Sequence, residues 1–320
     1  MNRIAASCVA ILAGWLWLAG LALAAPPLLT PAELKALQVK PGVRIIDIRN
    51  PKAYDDQHIP GAVSAPYGTW RGPAGNPGAL PELPRLTALV QRLGLTPEVH
   101  AVVVSSGDDA TDFGSAARVL WTLKVLGLKE LSVLNGGVRA WVAAGLELDP
   151  MPEVVQPSIY TPTLDTALIA TREELVALAA SGKAQLLDAR PAAFFNGQTR
   201  HQAALVPGTL KGAVSLEYTR WFAPDSAAML PADQVKRLIA ASTASAADEA
   251  PAVHFCNTGH WAAINWFAQS EVAGRQGVKM YPGSMVDWSQ GLGSEGMDNV
   301  PGRAGQLWVD LKLWWARTFE

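Results

Sequence analysis

"VRIIDIR" at residues 43–49 and "AQLLDAR" at residues 184–190 are one short phrase written twice: an apolar run, an aspartate and, two residues on, an arginine. Each run is too short for a buried helix and rich in Val, Ile or Leu, which reads as an interior strand. The segments downstream of each phrase repeat as well. "HIPGAVSAPYGTW" (58–70) stands beside "LVPGTLKGAVSLEYTRW" (205–221), where Pro-Gly marks a turn and the β-branched residues behind it a second strand. "HAVVVSSG" (100–107) stands beside "PAVHFCNTG" (251–259), and "LSVLNGGVRAW" (131–141) beside "VKMYPGSMVDW" (278–288). Strands alternating with helical stretches predict an α/β fold of two tandem domains, each a mainly parallel sheet flanked by helices.

The expected boundaries fall at the breaks in this pattern. The first domain covers 28–148 and the second 165–303. Between them "DPMPEVVQPSIYTPTL" (149–164) is proline-rich and has no helical period, so it reads as a linker. Thr171 and Glu174 form a capping box that starts a helix ending near Gly182. Residues 304–320 carry Trp308, Leu311, Trp314 and Trp315 at helical spacing, which predicts a final helix packed on the body.

The first 24 residues have one early charge, Arg3, then an apolar stretch and the small-residue signature Ala22-Leu23-Ala24. This is the pattern of a secretory signal peptide cut after Ala24, since a cut after Ala25 would place Pro26 at the scissile bond. The apolar run is shorter than the ~20 residues a spanning helix needs, so no membrane association is expected after cleavage. The expected location is periplasmic or secreted. With 26 basic and 28 acidic residues among 320, the net charge of -2 carries no nucleic-acid footprint, and a small-molecule partner is expected. The five histidines, at 58, 100, 201, 254 and 260, lack zinc-type spacing, so no metal and no cofactor are expected.

Cys8 leaves with the signal segment, and Cys256 is then the lone cysteine. It sits in "HFCNTGHWAA" (254–263), with Cys256 to Trp261 as the turn between a strand and a helix that Gly274 can end. Such a turn aims successive N–H groups at one spot with a helix N-terminus behind, which favours a thiolate and equally the outer sulfur of a persulfide. Gly259 permits a positive φ there. A phosphatase loop would carry arginine six residues after the cysteine to grip phosphate, and here that position is Ala262. The plain alternative is a cysteine serving as a small buried hydrophobe.

These residues resemble the tandem-domain rhodaneses, the thiosulfate and 3-mercaptopyruvate sulfurtransferase family, over roughly 30–300 in both repeats. "LLDAR", "VPGTLKGAV", "CNTGHW" followed by Ala262, and "YPGSMVDW" carry the resemblance, in this order. It implies a catalytic second domain and an inactive first one, where Ser105 aligns with Cys256 and Asp108 and Asp109 would repel an anion. It also implies that Cys256 takes sulfane sulfur as a persulfide from a small-molecule donor, thiosulfate, and passes it to a thiol or cyanide. Arg190 and Arg200 would face the donor anion; a salt bridge to Asp188 is the other reading for Arg190. Asn257, Thr258, Gly259, His260 and Trp261 would complete the loop. A basic residue directly after the cysteine is common in thiosulfate-type loops, whereas mercaptopyruvate-type loops are small, neutral and hydroxyl-bearing. Asn257 and Thr258 are neutral and His260 and Trp261 bulky, so the loop matches neither. His260 could lend a charge or proton to the donor, or face solvent; His254 reads as a core residue. The rival functions are 3-mercaptopyruvate as donor, a non-catalytic persulfide carrier or sensor serving a sulfur-accepting protein, and an inert cysteine.

Overall fold

The computed structural model describes residues 25–181, 184–242 and 251–319. The segment read as a signal peptide, with Cys8, and the predicted helix end at Gly182 lie outside them. The first half contains β1 (Leu28–Leu29), β2 (Val43–Asp47), β3 (Ala62–Ser64), β4 (His100–Val104) and β5 (Leu131–Leu134). They form one sheet in the order β1-β5-β4-β2-β3, with every pairing parallel. The second half contains β6 (Gln185–Asp188), β7 (Thr209–Leu210), β8 (Val214–Ser215), β9 (Ala252–Phe255), β10 (Val278–Met280) and β11 (Met297–Asp298). Here β10-β9-β6-β8 is a parallel sheet, and β7 and β11 make a small antiparallel pair. Helices flank both sheets, as the strand–helix alternation predicts.

The register explains the repeated phrase. Asp47 of β2 lies opposite Val104, the last residue of β4, and Asp188 of β6 opposite Phe255, the last of β9. In each half the arginine two residues on closes back onto its aspartate. Arg49 Nε meets both Asp47 oxygens at 3.0 Å and its Nη2 donates at 2.6 Å. Arg190 repeats this on Asp188 at 2.9, 3.1 and 2.6 Å. A buried carboxylate at a strand end is tolerated because a guanidinium fork satisfies both its oxygens. The motif that announces the fold is therefore a strand-terminating ion pair.

Residues 150–164 carry no regular structure and run along the first half: Ser158 N donates to Gln91 O, Tyr160 OH to Leu126 O, and Asp165 N to Val125 O. The two halves share a large hydrophobic cluster, and each also has a smaller one of its own. The helix Ala110–Val125 is buried along most of its length and lies against the helix Trp261–Trp266. Its Phe113 presents an edge to Phe222 and to Phe267, at ring centroids 5.4 and 5.7 Å away. Gly114 allows the close approach, since a Cβ there would sit 2.9 Å from His260 Nε2. Lys124 and Glu271 pair across the seam at 2.7 Å.

The final helix, Arg303–Phe319, departs from the sequence expectation. It rests on the body through a stripe of small and medium residues, Gly305, Val309, Leu313 and Ala316, of which Val309 alone is fully buried. Trp308, Leu311, Trp314 and Trp315, the residues expected to pack inward, are 49–58% exposed on its outer side. Spacing predicts which residues share a helix face, and here two stripes compete for the body. The one that seats includes Val309, beside Asp310, which Arg200 grips at 2.8 Å.

Candidate active site

Cys256 follows the last residue of β9 at the carboxyl end of a central strand, where parallel α/β sheets open their ligand crevices. It is the free cysteine among the described residues and is 1% exposed. The loop after it is tied down from two sides. From its own domain, the start of the helix Ser284–Leu292 binds the first two peptides: Met285 N donates to Cys256 O and Val286 N to Asn257 O, both at 3.1 Å. Ser284 Oγ accepts from Cys256 N at 3.0 Å and Gly259 N at 3.1 Å, and donates to Tyr281 O at 2.8 Å. Ser284 is fully buried at φ 54°, a backbone state uncommon outside glycine. Two N–H groups of the expected cradle are thus taken by a serine, while those of Asn257, Thr258 and His260 meet no protein acceptor among the described residues. Gly259 has φ 66°, and a Cβ there would collide with the Arg118 guanidinium and lie 2.6 Å from Pro282 O.

From the other side the first domain reaches in. Arg71 Nη2 donates to Thr258 O at 2.8 Å. Arg118, fully buried on the helix Ala110–Val125, gives Nη1 to Gly259 O at 3.2 Å and Nη2 to Gly78 O at 2.8 Å. Burial, reinforced by the neighbouring Arg71 cation, pulls Arg118 down to about 9. Neither arginine has a carboxylate partner among the described residues. Carbonyl oxygens take their place, and this fixes the peptide planes of the loop.

His260 is part of this seam. Its Nε2 lies 2.8 Å from Thr111 O, which can only accept, so Nε2 carries the hydrogen and Nδ1 accepts from Tyr67 OH at 2.7 Å. Desolvation, followed by the Arg71 cation, pushes its pKa down to about 4. The structure holds His260 between the domains by both ring nitrogens rather than turned to solvent, and burial favours its neutral form. Trp261 stacks on Tyr218 at 4.9 Å and points Nε1 to Thr111 Oγ1 at 3.3 Å. His254 is fully buried in β9, and burial depresses it to about 3, so it stays neutral.

The structure places Arg190 beside the loop with most of its donors spent. Nε and Nη2 serve Asp188 and Gly208 O, and only Nη1 reaches forward, to Asn257 Oδ1 at 3.4 Å. Arg200 binds the carbonyls of His201, Gln202 and Ala204 and the Asp310 carboxylate, and none of these belongs to the cysteine loop. A cavity of about 560 Å³ opens between the domains, lined by Asp108, Asp109, Asp225, Thr111, Tyr218 and Phe222 among others. It does not include Cys256, and its carboxylates suit no anion.

A family model for rhodanese-like domains matches residues 30–144 and again 171–291. The chain belongs to the rhodanese-like domain family. A thiosulfate sulfurtransferase of Pseudomonas aeruginosa is 30% identical over 264 residues, 82% of this chain and 94% of that protein. A 3-mercaptopyruvate sulfurtransferase of Mus musculus is 25% identical over 74% of this chain and 78% of its own length. Among solved structures, SseA from Escherichia coli, a 3-mercaptopyruvate sulfotransferase, shares the fold at a TM-score of 0.70 and 22% identity, over 81% of this chain and 98% of its own.

The two rhodanese-like loops differ in what fills them. In the first, Ser105 stands where Cys256 stands in the second, and Asp112 occupies the cradle: its carboxylate accepts from Gly107 N at 2.5 Å and Asp108 N at 3.4 Å. The corresponding residue of the second loop is Ala263, which leaves the cradle without an internal anion. Sequence reasoning missed Tyr67, Arg71, Thr111, Arg118 and Ser284. Arg118 alone gave a signal, as a charge inside the apolar run "AARVLW" (116–121).

Proposed function

We propose that this protein is a sulfurtransferase that carries sulfane sulfur on Cys256 as a persulfide, with thiosulfate as donor and a thiophilic acceptor. The observation that carries this is the pairing of one free cysteine with a loop whose Asn257, Thr258 and His260 N–H groups have no internal acceptor, in a family whose similar members include thiosulfate and 3-mercaptopyruvate sulfurtransferases. The Cys256 thiolate attacks the outer sulfur of thiosulfate. A new S–S bond forms on Sγ, the S–S bond of the donor breaks, and its electron pair leaves on sulfite. The outer persulfide sulfur then bonds to cyanide or a thiol, and the electron pair returns to Sγ. Backbone N–H groups stabilise the anion at each stage.

The first domain carries no sulfur of its own, a reading supported by Ser105 at the cysteine position and Asp112 in the cradle. The signal-like segment supports export, with the working compartment periplasmic or extracellular. A second reading keeps the Cys256 persulfide and changes the donor: the neutral Asn257-Thr258 pair lacks the basic residue common in thiosulfate-type loops, and with 3-mercaptopyruvate the C–S bond would break, its electron pair leaving on the enolate of pyruvate, which takes a proton from solvent. Thiocyanate formation from cyanide, followed for the wild type and Cys256→Ser with each donor, tests both. Cysteine-dependent turnover is expected, and the donor with the higher kcat/KM names the subclass. No turnover with either donor would sink the enzyme reading and favour a buried, inert thiol.

A further inference from the structure

We propose that Arg71, on the first domain, grips the anionic group of the sulfur donor at the site built around Cys256 on the second; this rests on the sulfurtransferase reading above. Among the arginines around the loop it alone has a terminal nitrogen without a hydrogen-bond partner among the described residues; Arg118 and Arg200 leave only Nε unpaired. Arg190 is closed onto Asp188 and Gly208 O, and its remaining Nη1 meets Asn257 Oδ1. Arg200 is tied to its own loop and to Asp310. Arg118 is sealed from water, with both terminal nitrogens on carbonyls.

Arg71 combines three features. Its Nη2 anchors on Thr258 O at 2.8 Å, two residues past the cysteine, while Nη1 is shielded from water and has no hydrogen-bond partner. Its guanidinium lies over the Tyr67 ring at 5.2 Å, which fixes the plane of the fork. No carboxylate among the described residues neutralises it. A planar cation with one prong seated and the other bare recognises a small oxyanion such as the sulfonate end of thiosulfate or the carboxylate of a keto acid. The groups facing it fit this role. Tyr67 OH is spent on His260, and burial followed by the Arg71 cation lowers the pKa of His260 and of His201, so neither histidine adds a second positive charge beside it. Since Arg71 is anchored on Thr258 of the same loop, a donor held there by its charged end would have its outer sulfur within the loop that carries Cys256. The half of the molecule without a cysteine thereby selects the substrate.

The test compares Arg71→Gln and Arg71→Lys with the wild type in two ways. The first is the rate of Cys256 alkylation by iodoacetate, which is anionic, relative to neutral iodoacetamide. The second is the KM for thiosulfate. Loss of one charge-assisted hydrogen bond should lower the iodoacetate-to-iodoacetamide ratio about tenfold or more in R71Q and raise KM by a similar factor. R71K should retain part of the ratio. An unchanged ratio, an equal slowing by both reagents, or a wild-type thiol closed to both would overturn the proposal. The ratio needs no turnover, so a wild type that alkylates selectively yet transfers no sulfur would contradict the sulfurtransferase reading separately.

Discussion

His260 stands in a loop expected to serve chemistry, yet both of its ring nitrogens are committed to the other domain. Its folded pKa of about 4 lies below the ordinary value of 6.5. A histidine depressed in this way costs nothing above pH 6.5, where both states are neutral. As the pH falls from 6.5 toward 4 the unfolded chain binds the proton first, and stability drops. Urea unfolding of the wild type and His260→Gln between pH 7.5 and 4.5 should show a steeper acid loss for the wild type. Equal slopes would contradict the assignment of a neutral, desolvated ring. At this scale the sequence shows identity without partnership. Cys256 and Gly259 are legible because the local turn dictates their roles, whereas the partners of His260, Tyr67 and Thr111, lie 193 and 149 residues away along the chain. Arg190 illustrates the same limit: its spacing to Asp188 is local and readable, but how many of its donors that pairing consumes is set by folded geometry.

Among the elements, the contact that shapes the site is between the cysteine loop and the helix Ser284–Leu292. Ser284 holds a positive φ so that one hydroxyl can accept two loop N–H groups and return its own hydrogen to Tyr281 O. Ser284→Ala keeps the backbone but strands two buried donors, and each such loss costs about 1–3 kcal/mol. The expected result is a lower melting temperature and slower sulfur loading of Cys256. A variant as stable and as fast as the wild type would show that water or the thiol itself replaces the serine. The principal strands were legible along the chain because parallel strands buried on both faces write themselves as apolar runs, whereas their order within each sheet was not. The outward aromatic stripe of the helix Arg303–Phe319 was not, because periodicity gives a face without saying which neighbour meets it.

The tandem repeat suggests two units that fold apart, but the main buried cluster spans both. One cluster runs from Ile46 and Trp70 of the first half through Phe113 and Trp121 to Phe222, Ile264 and Phe267 of the second. Arg71, Arg118 and Tyr67 cross the same seam to reach the loop. Calorimetry should therefore record one cooperative transition. Phe113→Ala, which empties the space between Phe222 and Phe267, should cost about 3–5 kcal/mol and lower that single transition. Two transitions in the wild type, with only one moved by the substitution, would show that the domains are independent. Reading the halves as scaffold and catalyst separates them too cleanly, since the loop of one is held and charged by the other.

The proposed function stands or falls on whether Cys256 accepts sulfur. Brief exposure of the protein to thiosulfate without an acceptor, followed by intact-mass and peptide analysis, tests it most directly. The expected result is a gain of one sulfur atom on the peptide that contains Cys256, removed by cyanide and absent in Cys256→Ser. An unmodified Cys256 peptide after exposure to thiosulfate and to 3-mercaptopyruvate would contradict it.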